Sequence, residues 1–349
     1  MEKQPILKIT VNASGKYDVL IGSNLIMKVG ELISPVLPLC KIAVITDDTV
    51  DKLYSDIVIR SLESVGYSVV KFVFPHGEKS KNLETYGKIL SFLAQNSITR
   101  TDAIVALGGG VVGDMAGFAA ATFLRGIKYI QVPTTLLAQI DSSVGGKTAV
   151  DLEEGKNLVG AFCQPSAVIC DVETLNSLPK DVFDDGMGEM AKYCLLDKRV
   201  FELIKSEKGN LIDLIYYCID YKRSVVEQDE FESGKRMLLN LGHTPAHSIE
   251  KLSEYTISHG KAVAMGVKII LDNSLRLGYI DKILYEDSKS VLNKCVIAEK
   301  LPFDMEDIRK TCLADKKRRG DTISLVMVHG IGDCRTHKIS VKEIKEYMV

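Results

Sequence analysis

Residues Ala103–Leu107 (AIVAL) run directly into Gly108–Asp114 (GGGVVGD). A short, wholly apolar run is the signature of a strand buried on both faces, as in a parallel sheet. The glycines that follow read as a tight turn opening a helix. The same alternation spreads outward from this unit. Further strand-like runs lie at Ile42–Thr46, Val69–Phe74, Tyr129–Val132 and Ala167–Cys170, with a helical pattern at Leu83–Leu93 between two of them. Leu7–Val11 and Tyr17–Ile21, joined by Asn-Ala-Ser-Gly, read as an antiparallel edge hairpin. Alternating β and α predicts an α/β, Rossmann-like N-terminal domain. After Pro179 the pattern turns helical, at Val182–Leu195, Val200–Val226, Pro245–Leu252, Ala262–Leu277 and Tyr285–Cys295, with a late strand at Ser324–Val328. The expected division is an α/β domain over residues 1–177 and an all-α domain over 178–349.

Composition narrows the function. With 46% hydrophobic and 26% charged residues in 349, the chain has material for large cores. A net charge of -2 provides no overall field for nucleic acid or an anionic membrane, and Trp is absent. Neither is expected as a partner. The most membrane-like stretch, Ala103–Leu124, carries too many glycines and Asp114 to read as a span. The N-terminus lacks the apolar core of a secretory leader. Eight cysteines without a CxxC pair read as reduced thiols, so a cytoplasmic protein is expected.

Gly108, Gly110 and Gly113 satisfy GxGxxG, which lets backbone N–H groups approach a pyrophosphate at a helix N-terminus. A tight strand-to-helix packing turn needs the same glycines, so the motif alone leaves both uses open. The usual ribose-binding acid, about 20 residues on, is missing from Val132-Pro-Thr-Thr; Asp47, at the end of an earlier strand, is the better candidate. Gly146-Lys147-Thr148 resembles the tail of a P-loop, but Asp141 occupies the position of its first glycine.

His243, His247 and His259 fall close together, and Glu189 sits between glycines in Gly186–Lys192. Two histidines and a carboxylate with an open fourth position make a catalytic zinc site; spacing alone is equally met by structural histidines and a solvated acid. Thr244-Pro245 reads as N-cap and first helical residue, placing His243 before the helix and His247 in its first turn. Arg125, Lys147, Lys156, Lys222 and Arg236 are each ordinary surface charges taken singly, but together suit an anionic substrate.

The segments GGGVVGDMAGFAAATFLRG, QVPTTLLAQIDSSVGGKTAV, GKNLVGAFCQP, GMGEMAKY, RMLLNLGHTPAHSIE and SHGKAVAMG, in this order, resemble the 3-dehydroquinate synthase family of sugar phosphate cyclases. The resemblance implies an NAD-binding α/β domain, a helical domain holding Zn2+ or Co2+, an active site in the cleft between them, and a homodimer. It implies Glu189, His243 and His259 as metal ligands. Asp47, Glu78, Lys81, Gly110, Val111, Val112, Gly113, Asp114, Thr134, Thr135, Lys147, Lys156, Thr174 and Ser177 would line NAD. Lys147, Asn240 and His247 would hold a sugar phosphate, with Arg125 contributed across the dimer and Lys316 or Lys317 closing on it. Arg236 and Lys222 would meet a carboxylate, and Asp141, Asn157 and Lys192 hydroxyls. Gly188, Ala191 and Ala246 depart from the family pattern, which bears on packing around the ligands. The implied reaction takes 3-deoxy-D-arabino-heptulosonate 7-phosphate to 3-dehydroquinate and phosphate through transient oxidation, elimination, re-reduction and aldol closure. The readings set against it are a cyclase for a carboxylate-free sugar phosphate, a polyol dehydrogenase with net NAD turnover, and a nucleotide-binding regulatory module. Arg236 with Lys222 argues against the first of these.

Overall fold

The computed structural model describes residues 5–295, 301–314 and 321–349. The chain divides into two compact units, Met1–Leu178 with Lys222–Glu230, and Pro179–Tyr221 with Phe231–Val349.

The first unit is built on β1 (Leu7–Asn12), β2 (Lys16–Gly22), β3 (Lys41–Asp47), β4 (Ser68–Phe74), β5 (Ala103–Gly108), β6 (Lys128–Pro133), β7 (Lys147–Leu152), β8 (Gly155–Phe162) and β9 (Ala167–Asp171). Seven of these form one sheet in the order β1-β2-β9-β6-β5-β3-β4. It is parallel except at the β1–β2 hairpin. Every residue of β5 is buried, and the side chains alternate between two cores. Ile42, Val44, Val105 and Leu107 face one side, packed with Val58 and Leu62 of α1 (Asp56–Ser64). Ala43, Ile45, Ile104 and Ala106 face the other, with Ile89 and Leu93 of α2 (Leu83–Gln95) and Met115 of α3 (Gly110–Thr122). Each fully buried Val, Ile or Leu contributes about 1.5–3 kcal/mol, which is why the central strands need apolar residues at every position. β7 and β8 pair as a separate hairpin that the sequence reading did not anticipate. Its second strand, Gly155–Phe162, is half-exposed, with only Val159 and Ala161 turned to the core.

The second unit holds α4 (Lys180–Leu196), α5 (Lys198–Ser206), most of α6 (Leu211–Gln228), α7 (His243–Leu252), α8 (His259–Arg276), α9 (Lys282–Cys295) and α10 (Met305–Ala314). The helix expected over Val200–Val226 is two helices. Glu207 takes a left-handed conformation (φ 55°) and ends α5, as the C′ position of a helix commonly does. The late strand extends over β10 (Thr322–Gly330) and pairs with β11 (Asp333–Ser340), whose polar sequence hid it. The start of α7 also corrects expectation: His243 is its first residue and Gly242 its N-cap. Gly242 sits at φ +79°, and a Cβ there would lie 2.7 Å from Val267 N. Tertiary packing of α7 on α8 therefore sets the boundary ahead of Thr244-Pro245. All eight cysteines are free. Among the described residues no helix is long and apolar enough to cross a membrane.

The α7–α8 crossing is tight enough to test. A Cβ on Gly266 would stand 2.0 Å from the Gly242 carbonyl oxygen. Gly266→Ala is expected to destabilise the second unit by about 1–3 kcal/mol, the usual range for overpacking, read as a lower urea midpoint. An unchanged midpoint would mean the helices separate at no cost.

Candidate functional site

The second unit carries a donor cluster. Glu189 lies on α4 and is 1% exposed. Its Oε2 is 2.6 Å from Lys192 Nζ, one turn along the same helix, and Lys192 is equally buried. Its Oε1 is 3.4 Å from His243 Nε2 and 3.1 Å from His259 Nε2. Burial opposes ionisation of Glu189, but the Lys192 ammonium and the two imidazoles outweigh it and hold the carboxyl well below its usual range.

Several features aim these groups. His243 Nδ1 donates to the Leu241 carbonyl at 3.3 Å. His259 Nδ1 donates to Glu250 Oε2 at 3.2 Å. With both Nδ1 atoms so engaged, both Nε2 atoms face Glu189. Asp185 Oδ1 accepts from Gly260 N at 2.7 Å and Lys261 N at 3.3 Å, capping the helix that begins with His259. Gly188 and Gly260 let α4 and α8 touch backbone to backbone, since a Cβ on Gly188 would meet the Gly260 oxygen at 2.0 Å. That contact sets Glu189 and His259, each the neighbour of one glycine, side by side. Burial disfavours charge on His259, yet hydrogen bonds to Glu189 and Glu250 raise it to about 10. Two carboxylates on one imidazole make a site that attracts positive charge.

The donor set fits a divalent ion. Ligand atoms about 2.0–2.2 Å from a tetrahedral zinc stand about 3.3–3.6 Å apart, close to the separations around Oε1. Glu189, His243 and His259 offer atoms all within 4.8 Å of one another, the only such group among the described residues. His247 completes a cluster of three imidazoles, its ring 5.7 Å from His243 and 6.2 Å from His259, but stands outside the donor set. Arg236 is buried, and Asn240 donates to Glu232 Oε1 at 2.6 Å.

In the first unit the glycine turn joins β5 to α3, so the first-turn N–H groups of Gly110, Val111 and Val112 lack intrahelical partners by helix geometry. A Cβ on Gly113 would fall 2.6 Å from Gln131 Oε1, so this glycine serves packing as well as any ligand. Thr134 N donates to the Gly108 carbonyl, while the buried Thr134 Oγ1 finds no hydrogen-bond partner. A buried orphan hydroxyl beside a glycine turn is the kind of group a bound nucleotide would satisfy. Thr135 Oγ1 accepts from Ala138 N. Asp47 caps the short helix after β3, accepting from Thr49 N and Val50 N at 2.9 Å. Ser177 Oγ is 2.5 Å from Tyr54 Oη, which also donates to the Thr174 carbonyl, so Tyr54 joins a group in which sequence reasoning had not placed it.

Lys81 Nζ donates to Asp114 Oδ2 and Asn157 Oδ1, both at 2.6 Å. Burial pushes the Asp114 carboxyl up against the pull of Lys81. Lys81 is raised despite burial, chiefly by Asp114 and Glu78. Lys156 lies 4.0 Å from Glu78. Lys222 pairs with the Asp141 carboxylate and donates to its carbonyl at 2.7 Å. Lys147 opens β7 with its side chain exposed, and Arg125 is exposed at φ 68°. Lys316 and Lys317 lie outside the described residues. Glu250 and Asp185 were also missed by sequence reasoning; the one available signal was a carboxylate three residues after His247, on a face otherwise buried.

A parallel α/β sheet with a glycine-rich turn, followed in one chain by a helical unit, is the fold of sugar phosphate cyclases. The chain superposes on 2-deoxy-scyllo-inosose synthase complexed with carbaglucose-6-phosphate, NAD+ and Co2+ at TM-score 0.87 and 27% identity, covering 97% of this chain and 98% of that one. It also superposes on 2-epi-5-epi-valiolone synthase of Streptomyces hygroscopicus, with NAD+ and Zn2+ bound, at TM-score 0.85 and 22% identity, covering 97% of each. The 3-dehydroquinate synthase N-terminal profile matches residues 71–185 and the C-terminal profile residues 186–318. A 3-dehydroquinate synthase of Clostridium acetobutylicum is 45% identical over 345 residues, 95% of this chain and 96% of that one. The chain belongs to the 3-dehydroquinate synthase family.

Removing one partner of a buried ion pair strands the other. Lys81→Ala is expected to cost up to about 3–5 kcal/mol, because the half-buried Asp114 then loses its buried cation. Lys88→Ala, which breaks an exposed pair with Glu84, should leave the midpoint nearly unchanged. Equal urea midpoints for the two variants would remove Lys81 from the framework of the glycine turn.

Proposed function

We propose that this chain converts 3-deoxy-D-arabino-heptulosonate 7-phosphate to 3-dehydroquinate and phosphate, a step of the shikimate route to aromatic amino acids, as a cytoplasmic, homodimeric carbon–oxygen lyase. The observation that carries the reading is the buried Glu189 carboxylate facing two imidazoles whose other nitrogens are already engaged. Near-full-length identity of 45% to a 3-dehydroquinate synthase supports the substrate assignment.

Glu189, His243 and His259 would hold Zn2+ or Co2+, which when bound supplies a Lewis acid to a substrate hydroxyl. Asp47, Glu78, Lys81, Thr134, Thr135, Lys156, Thr174, Ser177 and the first turn of α3 would hold NAD, which supplies a hydride acceptor restored in each turnover. The remaining work is binding and orientation. Lys147, Asn240 and His247 would take the phosphate, with Arg125 from a second copy. Arg236 and Lys222 would take the carboxylate; Arg236, as a planar fork, matches it bidentately. Asp141, Asn157 and Lys192 would read the hydroxyls. Lys192, paired to Glu189, holds its proton where alkoxide charge develops.

The test is phosphate release from the heptulosonate phosphate with catalytic NAD. Release should proceed without accumulation of NADH, stop with chelator, and return with added Zn2+ or Co2+. His259→Ala should lose bound metal and activity together. Full activity after complete metal removal would defeat the metal assignment. Stoichiometric NADH would point to net dehydrogenation, and equal turnover of a heptulose phosphate lacking the carboxylate would point to the sister cyclase.

A further inference from the structure

Among the described residues, Glu250 is the one buried carboxylate beside the donor cluster that the proposed reaction leaves without a role. It lies on α7, 3% exposed, seven residues after His243 on the same helix. Its Oε2 stands 3.2 Å from His259 Nδ1, while the opposite nitrogen of that ring, Nε2, stands 3.1 Å from Glu189 Oε1. The two nitrogens of an imidazole point away from one another, so an oxygen on the Nδ1 side cannot join the same ion. Glu250 accordingly falls outside the set of mutually close donor atoms.

We propose that Glu250 is a positioning residue, which accepts the Nδ1 proton of His259 and thereby fixes the tautomer and ring angle that present Nε2 to a divalent cation. The inference rests on the reading of Glu189, His243 and His259 as a metal site and deepens it. A neutral imidazole carries its proton on either nitrogen, and only the Nδ1–H form has an Nε2 lone pair to donate. His243 receives the same service from a backbone carbonyl, that of Leu241. His259 is the first residue of α8, preceded by Ser258 in extended backbone, and its hydrogen-bonded acceptor is a side chain. One helix, α7, thus supplies His243 at its first position and the orienting group of His259 near its other end. Carboxylates in this relation to metal-bound histidines typically change metal affinity 10–100-fold when removed.

The experiment measures Zn2+ affinity by competition with a chromophoric chelator on the full-length protein, as wild type, Glu250→Gln and Glu250→Ala, each with its urea midpoint. The Gln amide oxygen still accepts the Nδ1 proton; Ala has no acceptor. We expect Glu250→Ala to bind Zn2+ about 10–100-fold more weakly, and Glu250→Gln to recover most of that loss. The visible spectrum of the Co2+-loaded protein should change in the Ala variant and return toward wild type in the Gln variant, which a purely structural effect would not produce. Wild-type affinity in a folded Ala variant lacking that spectral change would overturn the inference, as would an equal loss in both variants, because charge rather than the hydrogen bond would then matter. Should Ala fail to fold, Gln decides: near-wild-type affinity with a preserved Co2+ spectrum supports the inference, and a full loss overturns it. Failure of the wild type to bind Zn2+ or Co2+ would instead take down the underlying metal reading, and the inference with it.

Discussion

A carboxylate taken out of water is the constraint around which the second unit is arranged. Glu189 is almost wholly buried, and a buried, ionised carboxyl survives only where positive charge or donors surround it. Lys192 supplies one such charge from the same helix, and two imidazoles face the other oxygen. Meeting that demand fixes much else. The backbone contact between α4 and α8 at Gly188 and Gly260, the cap from Asp185 and the approach of α7 through Gly242 all serve to place three side chains from separate stretches around one oxygen.

The first unit meets a similar demand differently. Asp114 lies partly buried just past the first turn of α3, and Lys81 neutralises it from the far side of α2 in sequence while also reaching Asn157. Lys222 does the same for Asp141. Residues that the family resemblance assigns to cofactor and substrate are thus already joined in ion pairs within the unit. Those pairs hold their charges in place.

The central sheet was legible because strands buried on both faces tolerate only apolar residues, so Ile42–Thr46 and Ala103–Leu107 stand out from their surroundings. β8 and β11 were not, since half-exposed strands spell no such run. The beginning of α7 was misread for a related reason: Thr244-Pro245 is a sound local signal, but the contact of Gly242 with α8 prevails over it. At the site, histidine spacing left the choice among His243, His247 and His259 open; the family resemblance set His247 apart, and the three-dimensional arrangement likewise leaves it outside the donor set. Glu250 and Asp185 act through contacts between helices, which no spacing along the chain encodes.

The helix α6 carries a consequence of its own. Its last turns and the residues after it, Lys222–Glu230, belong to the first unit. Glu227 accepts from Asn12 N, and Glu230 from Ser14 N and Gln164 Nε2. The N-terminal unit is therefore not a contiguous stretch of chain. During vectorial synthesis the contacts of Asn12 and Ser14 with Glu227 and Glu230 can form only after the intervening Pro179–Tyr221 has been made. Completion of the nucleotide-type half is tied in time to partial construction of the helical half.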